Sequence, residues 1–296
     1  MPAAHRPRAT RRQRPRGKSA PVPHPELQRE SRRHSELLSR ILVAVPAAII
    51  LIVFIDVGGL PFALFIVAIG WVSLDELYRL LGRWRPLSLV GFASLAAMVI
   101  AARYGHEREV MEVAVATLPV LFAFVLARGP SGNETVAIAG TLLGVYWIGF
   151  AFAHAELLRQ LGHGNGVLLD VLIGTFAGDT GAYIGGRLFG RRPLAPAISP
   201  KKTVEGLFCG MLAAILGVFL AGIYQAWMTQ TDALALGFAV AVLGPLGDLF
   251  ESLVKRESGA KDAGRLFGAH GGALDRIDGV LFTVYAGYYI WLAALH

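Results

Sequence analysis

Residues 204–227 read VEGLFCGMLAAILGVFLAGIYQAW, an apolar run whose only charged residue is Glu205. Crossing the hydrocarbon core of a bilayer as a helix takes roughly 20 mostly apolar residues, with about 17 to 25 tolerated, because each backbone polar group must be satisfied within the segment. This run meets that requirement. Eight more apolar runs follow the same pattern, at 41–56, 60–81, 87–102, 110–128, 136–154, 167–186, 232–251 and 279–295. Asp56, Gly58 and Gly59 break the first two, and Pro86 starts the third. The expected fold is all-α, a polytopic transmembrane helical bundle of about nine spans.

Composition supports this class. With 54% hydrophobic and 17% charged residues among 296, the chain carries more apolar surface than one soluble core could bury. The net charge of +7 is local: residues 1–40 hold 11 Lys/Arg against 3 acids, leaving 17 basic and 18 acidic groups elsewhere. The basicity therefore gives no reason to expect a nucleic-acid partner. Arg6, Arg8, Arg11, Arg12, Arg14, Arg16 and Lys18, interspersed with prolines, form a segment with too few apolar residues to offset the entropy of ordering it. Residues 1–40 are expected to be a disordered basic cytoplasmic tail, either drawn to anionic headgroups or enforcing orientation, and residues 41–296 the transmembrane catalytic domain. No cleavable secretory signal is expected, since some 40 polar residues precede the first apolar run. The single cysteine, Cys209, excludes an intrachain disulfide and a multi-Cys metal site.

Loop charges fix the predicted orientation. With the N-terminus in the cytoplasm, inside loops carry Arg79, Arg83, Arg85, Arg128, Arg187, Arg191, Arg192, Lys201, Lys202, Lys255, Arg256, Lys261, Arg265 and Arg276. Outside loops hold only Arg103, Arg108 and Arg159, and His296 lies outside. Asp75, Glu76 and Arg79 read as an interfacial ion cluster; His154, Glu156 and His163 read as a solvated outer loop. Tyr285, Tyr288, Tyr289 and Trp291 read as lipid or interface packing. Small-residue pairs four apart, Gly181 with Gly185, Gly186 with Gly190 and Gly206 with Gly210, suit close helix approach.

Two charged, glycine-rich inside loops draw the chemistry. The second contains Asp248, Glu251, Ser252, Lys255, Arg256, Lys261, Asp262, then His270-Gly271-Gly272, Asp275, Arg276 and Asp278. If the eighth span stays helical past its apolar end, Asp248, Ser252 and Lys255 share one face; Asp275 and Asp278 share another at the start of the ninth. Acids at two neighbouring helix ends suit Mg²⁺, which takes oxygen ligands and keeps substrate phosphates and waters. Gly271 and Gly272 let backbone N–H groups approach phosphate oxygens, and Lys255, Arg256, Lys261 and Arg276 supply positive charge. His270 taken alone reads as a hydrogen-bonding loop residue. The first stretch contains Asp179, Tyr183 and Gly186 in one helical stripe, then Arg187, Ser199-Pro200-Lys201-Lys202-Thr203 and Glu205. Asp179 lies inside an apolar span and needs a partner, a metal or a proton. Ser199 to Glu205 reads equally as a helix start and as a ligand-binding segment, with two lysines beside a helix N-terminus.

The run from Ser252 through Lys255, Arg256, Lys261, Asp262, His270, Gly271 and Gly272 to Asp275, Arg276 and Asp278 resembles the signature of bacterial phosphatidate cytidylyltransferases, the CDP-diacylglycerol synthases. Gly268 stands where that family often has Pro. Asp179, Tyr183, Arg187, Ser199, Lys201, Lys202, Thr203 and Glu205 resemble a second block, with Val204 where Trp is common. The resemblance implies a multi-pass cell-membrane enzyme, homodimeric, working at the cytoplasmic side with membrane lipids around it. It implies transfer of a cytidylyl group from CTP to phosphatidate with release of pyrophosphate, and a requirement for Mg²⁺, with two divalent ions. It also implies that Asp248, Asp275 and Asp278 hold metal. Asp248, Lys255, Arg256, Lys261, Asp262, His270, Asp275, Arg276 and Asp278 are the catalytic candidates. Asp179, Tyr183, Arg187, Ser199, Lys201, Lys202, Thr203, Glu205, Ser252, Gly271 and Gly272 are the substrate-binding candidates. The rival readings are a lipid or ion transporter with Asp179 and Asp248 as coupling sites, and a noncatalytic scaffold dependent on its tail. The complete motif that a CDP-alcohol phosphotransferase would need on one helix, Asp-x-x-Asp-Gly followed by Ala-Arg, is absent from the sequence.

Overall fold

A charge-free stretch ends where a hydropathy window ends, but a helix continues as long as its backbone bonds are made and its charges find partners. The computed structural model, which describes residues 45–129, 132–264 and 271–296, shows this at nearly every span. Its helices are α1 (Val45–Val57), α2 (Gly59–Leu80), α3 (Ser88–Tyr104), α4 (Glu107–Arg128), α5 (Glu134–Gln160), α6 (Gly164–Phe189), α7 (Val204–Ile223), α8 (Gln230–Glu257) and α9 (Leu274–Ala294). Seven of these are long and apolar enough to cross a membrane; α1 and α3 are shorter apolar helices. The helix α8 runs six residues beyond its expected end at 251, and α9 begins five residues before its expected start at 279. The acids thus sit on helices and not in loops. Residues 1–40, the expected tail, lie outside the described residues.

Between α6 and α7 an antiparallel hairpin of β1 (Pro193–Ala195) and β2 (Ser199–Thr203) departs from an all-helical expectation. Ser199 and Pro200 belong to a strand, not to a helix cap. Thr203 does cap α7, its Oγ1 accepting the Gly206 N–H at 3.1 Å. Glu205 turns back to accept the N–H groups of Arg191 and Arg192 at 3.0 and 3.2 Å, which pins the hairpin's entry to the first turn of α7. A short β ribbon of this kind gives its side chains fixed directions that an irregular loop would not.

The most extensive helix pairing is α6 with α7. Its basis is the absence of side chains: a Cβ on Gly181 would stand 2.4 Å from that of Ala213, and one on Gly206 would meet the Ala182 carbonyl oxygen at 2.8 Å. Gly185 meets Cys209 in the same way, so these glycines serve packing. The break between α1 and α2 uses Gly58 and Gly59, both with φ near +60°, a conformation glycine adopts without steric cost.

Loops that the charge pattern assigns to one side meet at one end of the bundle. Trp84, after α2, packs on Gly140 of α5, and Arg256 of α8 donates to the Ile198 carbonyl in the hairpin at 3.1 Å. At the other end Arg159 donates to the carbonyls of Ile55 and Asp56, Gln160 to that of Ala102, and Trp291 to that of Gly162. That end differs from the solvated loop expected for it. His154 and Glu156 are fully buried on α5, and His163 stacks on Trp227 with centroids 4.8 Å apart. Tyr288 and Trp291 are buried too, so the terminal aromatics pack inward as much as toward lipid. They close the core around His154, whose ring lies 5.3 Å from Tyr288.

Because the α6–α7 seam has no room for a branched side chain, Gly181→Val is expected to destabilise the protein by about 1–3 kcal/mol. A thermal unfolding scan of the detergent-solubilised protein checks this, and an unchanged midpoint would show that the seam yields.

Candidate functional site

The helices α8 and α9 touch at Gly247, where a Cβ would stand 2.5 Å from the carbonyl oxygen of Asp278. Only a glycine permits that contact, and it brings the acids of the two helices together. One carboxylate oxygen each from Asp248, Glu251 and Asp278 lie within 4.8 Å of one another. Asp248 and Glu251, at i and i+3 on α8, share a helix face, and Asp278 enters from the second turn of α9.

Two ammonium groups answer the three carboxylates. Lys202 reaches from β2 to pair with Asp248. Lys255 pairs with Glu251 one turn below it and donates to Asp275 Oδ1 at 2.7 Å. Glu251 is only 1% exposed, and its Oε1 has no hydrogen-bond partner among the described residues. A buried carboxylate oxygen left in this condition beside two further carboxylates fits a hard cation that takes oxygen ligands. Asp248 also sits 3.5 Å from the Ser252 hydroxyl, as expected for residues on one face of a helix that continues past the apolar run.

Asp275 takes a different place from the one expected of a metal ligand. Its carboxylate accepts the N–H of Gly272 at 2.7 Å, that of Ala263 at 3.0 Å, and the Lys255 ammonium. It ties the ends of the α8–α9 connection together behind Lys255, while Glu251 takes the third position in the cluster. Glu76 departs from the interfacial ion cluster expected for it. Asp75 and Arg79 form the expected ion pair at 2.6 Å, but Glu76 is buried and accepts the N–H groups of Ala273 and Leu274 at 3.1 and 2.9 Å.

Asp179, Tyr183, Arg187, Lys201, Lys202 and Thr203 line a cleft of about 500 Å³ between α6, α7, α8 and the hairpin. Asp248 belongs to both cleft and cluster. Deeper in, Gly174, Gly178, Gly210, Ala214, Val240 and Gly244 make its walls small and apolar. Ser199 lies on β2 and Glu205 in the first turn of α7, and neither lines the cleft. Arg256, Lys261, Asp262 and Arg276 are exposed at the same end, and Gly271 and Gly272 are buried, Gly271 with φ +82°. His270 lies outside the described residues. Sequence reasoning passed over Glu251 as a site residue, although its i+3 spacing from Asp248 was the available signal; the role of Glu76, nearly 200 residues from its partners, carried none.

Fold and site together define a multi-pass membrane protein with an acidic, lysine-neutralised cluster at one end of its helical bundle. Residues 38–293 match the Cytidylyltransferase family, and the chain belongs to it. The chain is similar to phosphatidate cytidylyltransferase of Bacillus subtilis, with 32% identity over 265 residues covering 86% of this chain and 97% of the relative. The Staphylococcus epidermidis protein of that name is also 32% identical, over 252 residues, with 83% and 95% covered. The Mycobacterium bovis protein of that name is 37% identical over 164 residues, covering 54% of this chain and 52% of the relative.

If Asp248, Glu251 and Asp278 hold a divalent cation, Glu251→Gln lowers affinity for Mn²⁺ by at least about tenfold. Electron paramagnetic resonance of Mn²⁺ titrated into the solubilised protein reads this; undiminished affinity would place the ion elsewhere.

Proposed function

We propose that the chain transfers the cytidylyl group of CTP to phosphatidate, giving CDP-diacylglycerol and pyrophosphate. The observation that carries this reading is the cluster of Asp248, Glu251 and Asp278, joined through Asp248 to the polar mouth of an otherwise apolar cleft, in a chain of this family. Such a site joins a charged nucleotide to an amphiphile. In the reaction a phosphate oxygen of phosphatidate attacks the α-phosphorus of CTP, and the bond from that phosphorus to the bridging oxygen breaks as pyrophosphate leaves. Asp248, Glu251 and Asp278 hold the divalent cation, Mg²⁺ in this reading. When bound, the cation neutralises charge on the phosphoryl oxygens.

The protein's own groups do the positioning. Lys255, held between Glu251 and Asp275, has a fixed direction and a fixed charge beside the cluster, which suits it to the triphosphate. Arg256, Lys261 and Arg276 stand at the same end and add positive charge for the departing pyrophosphate. Lys201, Lys202 and Arg187, on the cleft wall, hold the lipid phosphate. Asp275 anchors Lys255 and the loop; Gly271 and Gly272 belong to the nucleotide side. No side chain needs to act as a covalent nucleophile.

In this reading α1 and α3 also cross the bilayer, giving nine spans with the hairpin end and the N-terminus in the cytoplasm, where CTP is available. The excess of Lys and Arg at that end supports the orientation. The chain works as a homodimer in the cell membrane, and residues 1–40 are dispensable for chemistry. The gathering of charge at one end of the bundle, and not at mid-membrane, favours an enzyme over a transporter.

Purified protein given labelled CTP and phosphatidate in mixed micelles is expected to form CDP-diacylglycerol. Transport of lipid or ion without any such product would favour the transporter. Asp278→Asn and Asp275→Asn are each expected to lower turnover at least about a hundredfold through lost charge stabilisation. Deletion of residues 1–40 is expected to spare most turnover, and its loss would return the scaffold reading.

A further inference from the structure

Among the described residues the candidate site residues lie on α6 to α9, the hairpin and the α8–α9 connection, yet one buried carboxylate from α2 reaches them. Glu76, 6% exposed, accepts the Ala273 N–H through Oε1 and the Leu274 N–H through Oε2. These belong to the N-cap and first residue of α9, which has no side-chain cap of its own. A helix start leaves its first N–H groups unsatisfied and carries partial positive charge, so a carboxylate placed there both satisfies donors and complements the dipole. The backbone wraps this carboxylate closely: a Cβ on either Gly264 or Gly272 would come within 2.2 Å of a Glu76 oxygen. Both ends of the described part of the α8–α9 connection therefore meet at Glu76.

Asp275 follows within one residue of the capped segment and fixes Lys255; Asp278 follows one turn later and completes the three-carboxylate cluster. The position of α9 along α8 decides whether Asp278 meets Asp248 and Glu251, and Glu76 is a group outside these two helices that holds the start of α9. We infer that Glu76 is a positioning residue for the cation cluster, setting the start of α9 from α2 so that Asp278 and the Asp275–Lys255 pair are held in register with Asp248 and Glu251. The inference rests on the proposed function for its turnover arm only.

The test compares full-length wild type, Glu76→Gln and Glu76→Asp, with Asp75→Asn as a neighbouring control whose ion pair with Arg79 is exposed. Mn²⁺ affinity, read by electron paramagnetic resonance without substrate, is expected to fall about tenfold or more in Glu76→Gln, as for groups that orient metal ligands. Glu76→Asp, which keeps the charge one methylene short, is expected to recover part of it, and Asp75→Asn to match wild type. In turnover, Glu76→Gln is expected to lower kcat about tenfold with KM for phosphatidate changed less than about twofold, because the lipid cleft does not touch α9. Folded Glu76→Gln with wild-type Mn²⁺ affinity overturns the inference, as does loss of folded protein in both Glu76 variants, which would make the residue a stability determinant alone. Wild type that binds Mn²⁺ but makes no CDP-lipid would sink the proposed function and leave the Mn²⁺ comparison standing.

Discussion

Three carboxylates held within 4.8 Å of one another at the crossing of α8 and α9 are the constraint around which this end of the protein is arranged. Two unit charges at that separation repel by about 3 kcal/mol at an effective dielectric constant of about 20. Two of the three pairs, Asp278 with Asp248 and with Glu251, span the crossing and would drive the helices apart if nothing opposed them. Lys255 opposes them from within α8, and Lys202 from the hairpin. The hairpin is thus more than a connection: pinned by Glu205 and by Arg256, it delivers one ammonium group to Asp248. A cation bound among the carboxylates would supply the same neutralisation and release Lys202 toward the cleft it already lines.

Close backbone approach makes that concentration of charge possible. Gly247 allows α8 to touch α9 at Asp278, and the glycines and alanines of α6 and α7 allow those helices to run side by side. Small residues recur on the cleft walls, at Gly174, Gly178, Gly210 and Gly244, so the volume that a larger side chain would fill is left open between α6, α7 and α8. One composition therefore does two jobs: it seals the helix seams and leaves space beside them. The opposite end is tied differently, by Arg159, Gln160 and Trp291 donating to carbonyls of neighbouring segments, with no group of converging acids among the described residues.

The helices were legible in the sequence because hydropathy over about 20 residues is a strong signal. Their ends were less so. Charge stopped the expected α8 at 251, although Glu251 and Lys255 pair one turn apart and carry the helix on to Glu257. The hairpin escaped because Ser199-Pro200 before Thr203 and Glu205 satisfies a capping pattern, and only Thr203 fulfils it. Of the metal candidates, Asp248 and Asp278 stand at two helix ends that the fold brings together. Asp275 was not separable from them by spacing alone, since its role depends on the N–H groups of Ala263 and Gly272 that the folded loop presents to it. His154 and Glu156 looked like loop residues from polarity, but α5 extends to Gln160 and both are buried, His154 among aromatic rings and Glu156 near Arg103.

The gradient along the cleft explains why the chemistry belongs at one end of the bundle. Its walls pass from Ala214, Val240 and Ala241, which offer nothing to a charged group, to Lys202, Asp179 and Asp248 at the mouth. An amphiphile with an anionic head has one favourable orientation there, with its head at the lysines. A triphosphate has none inside the bundle, because moving its charges into the apolar walls would carry a solvation cost that no group there offsets. The two substrates of the proposed reaction are thereby brought from opposite directions to a single place. The only part of the lipid that must leave the apolar environment is the phosphate that reacts.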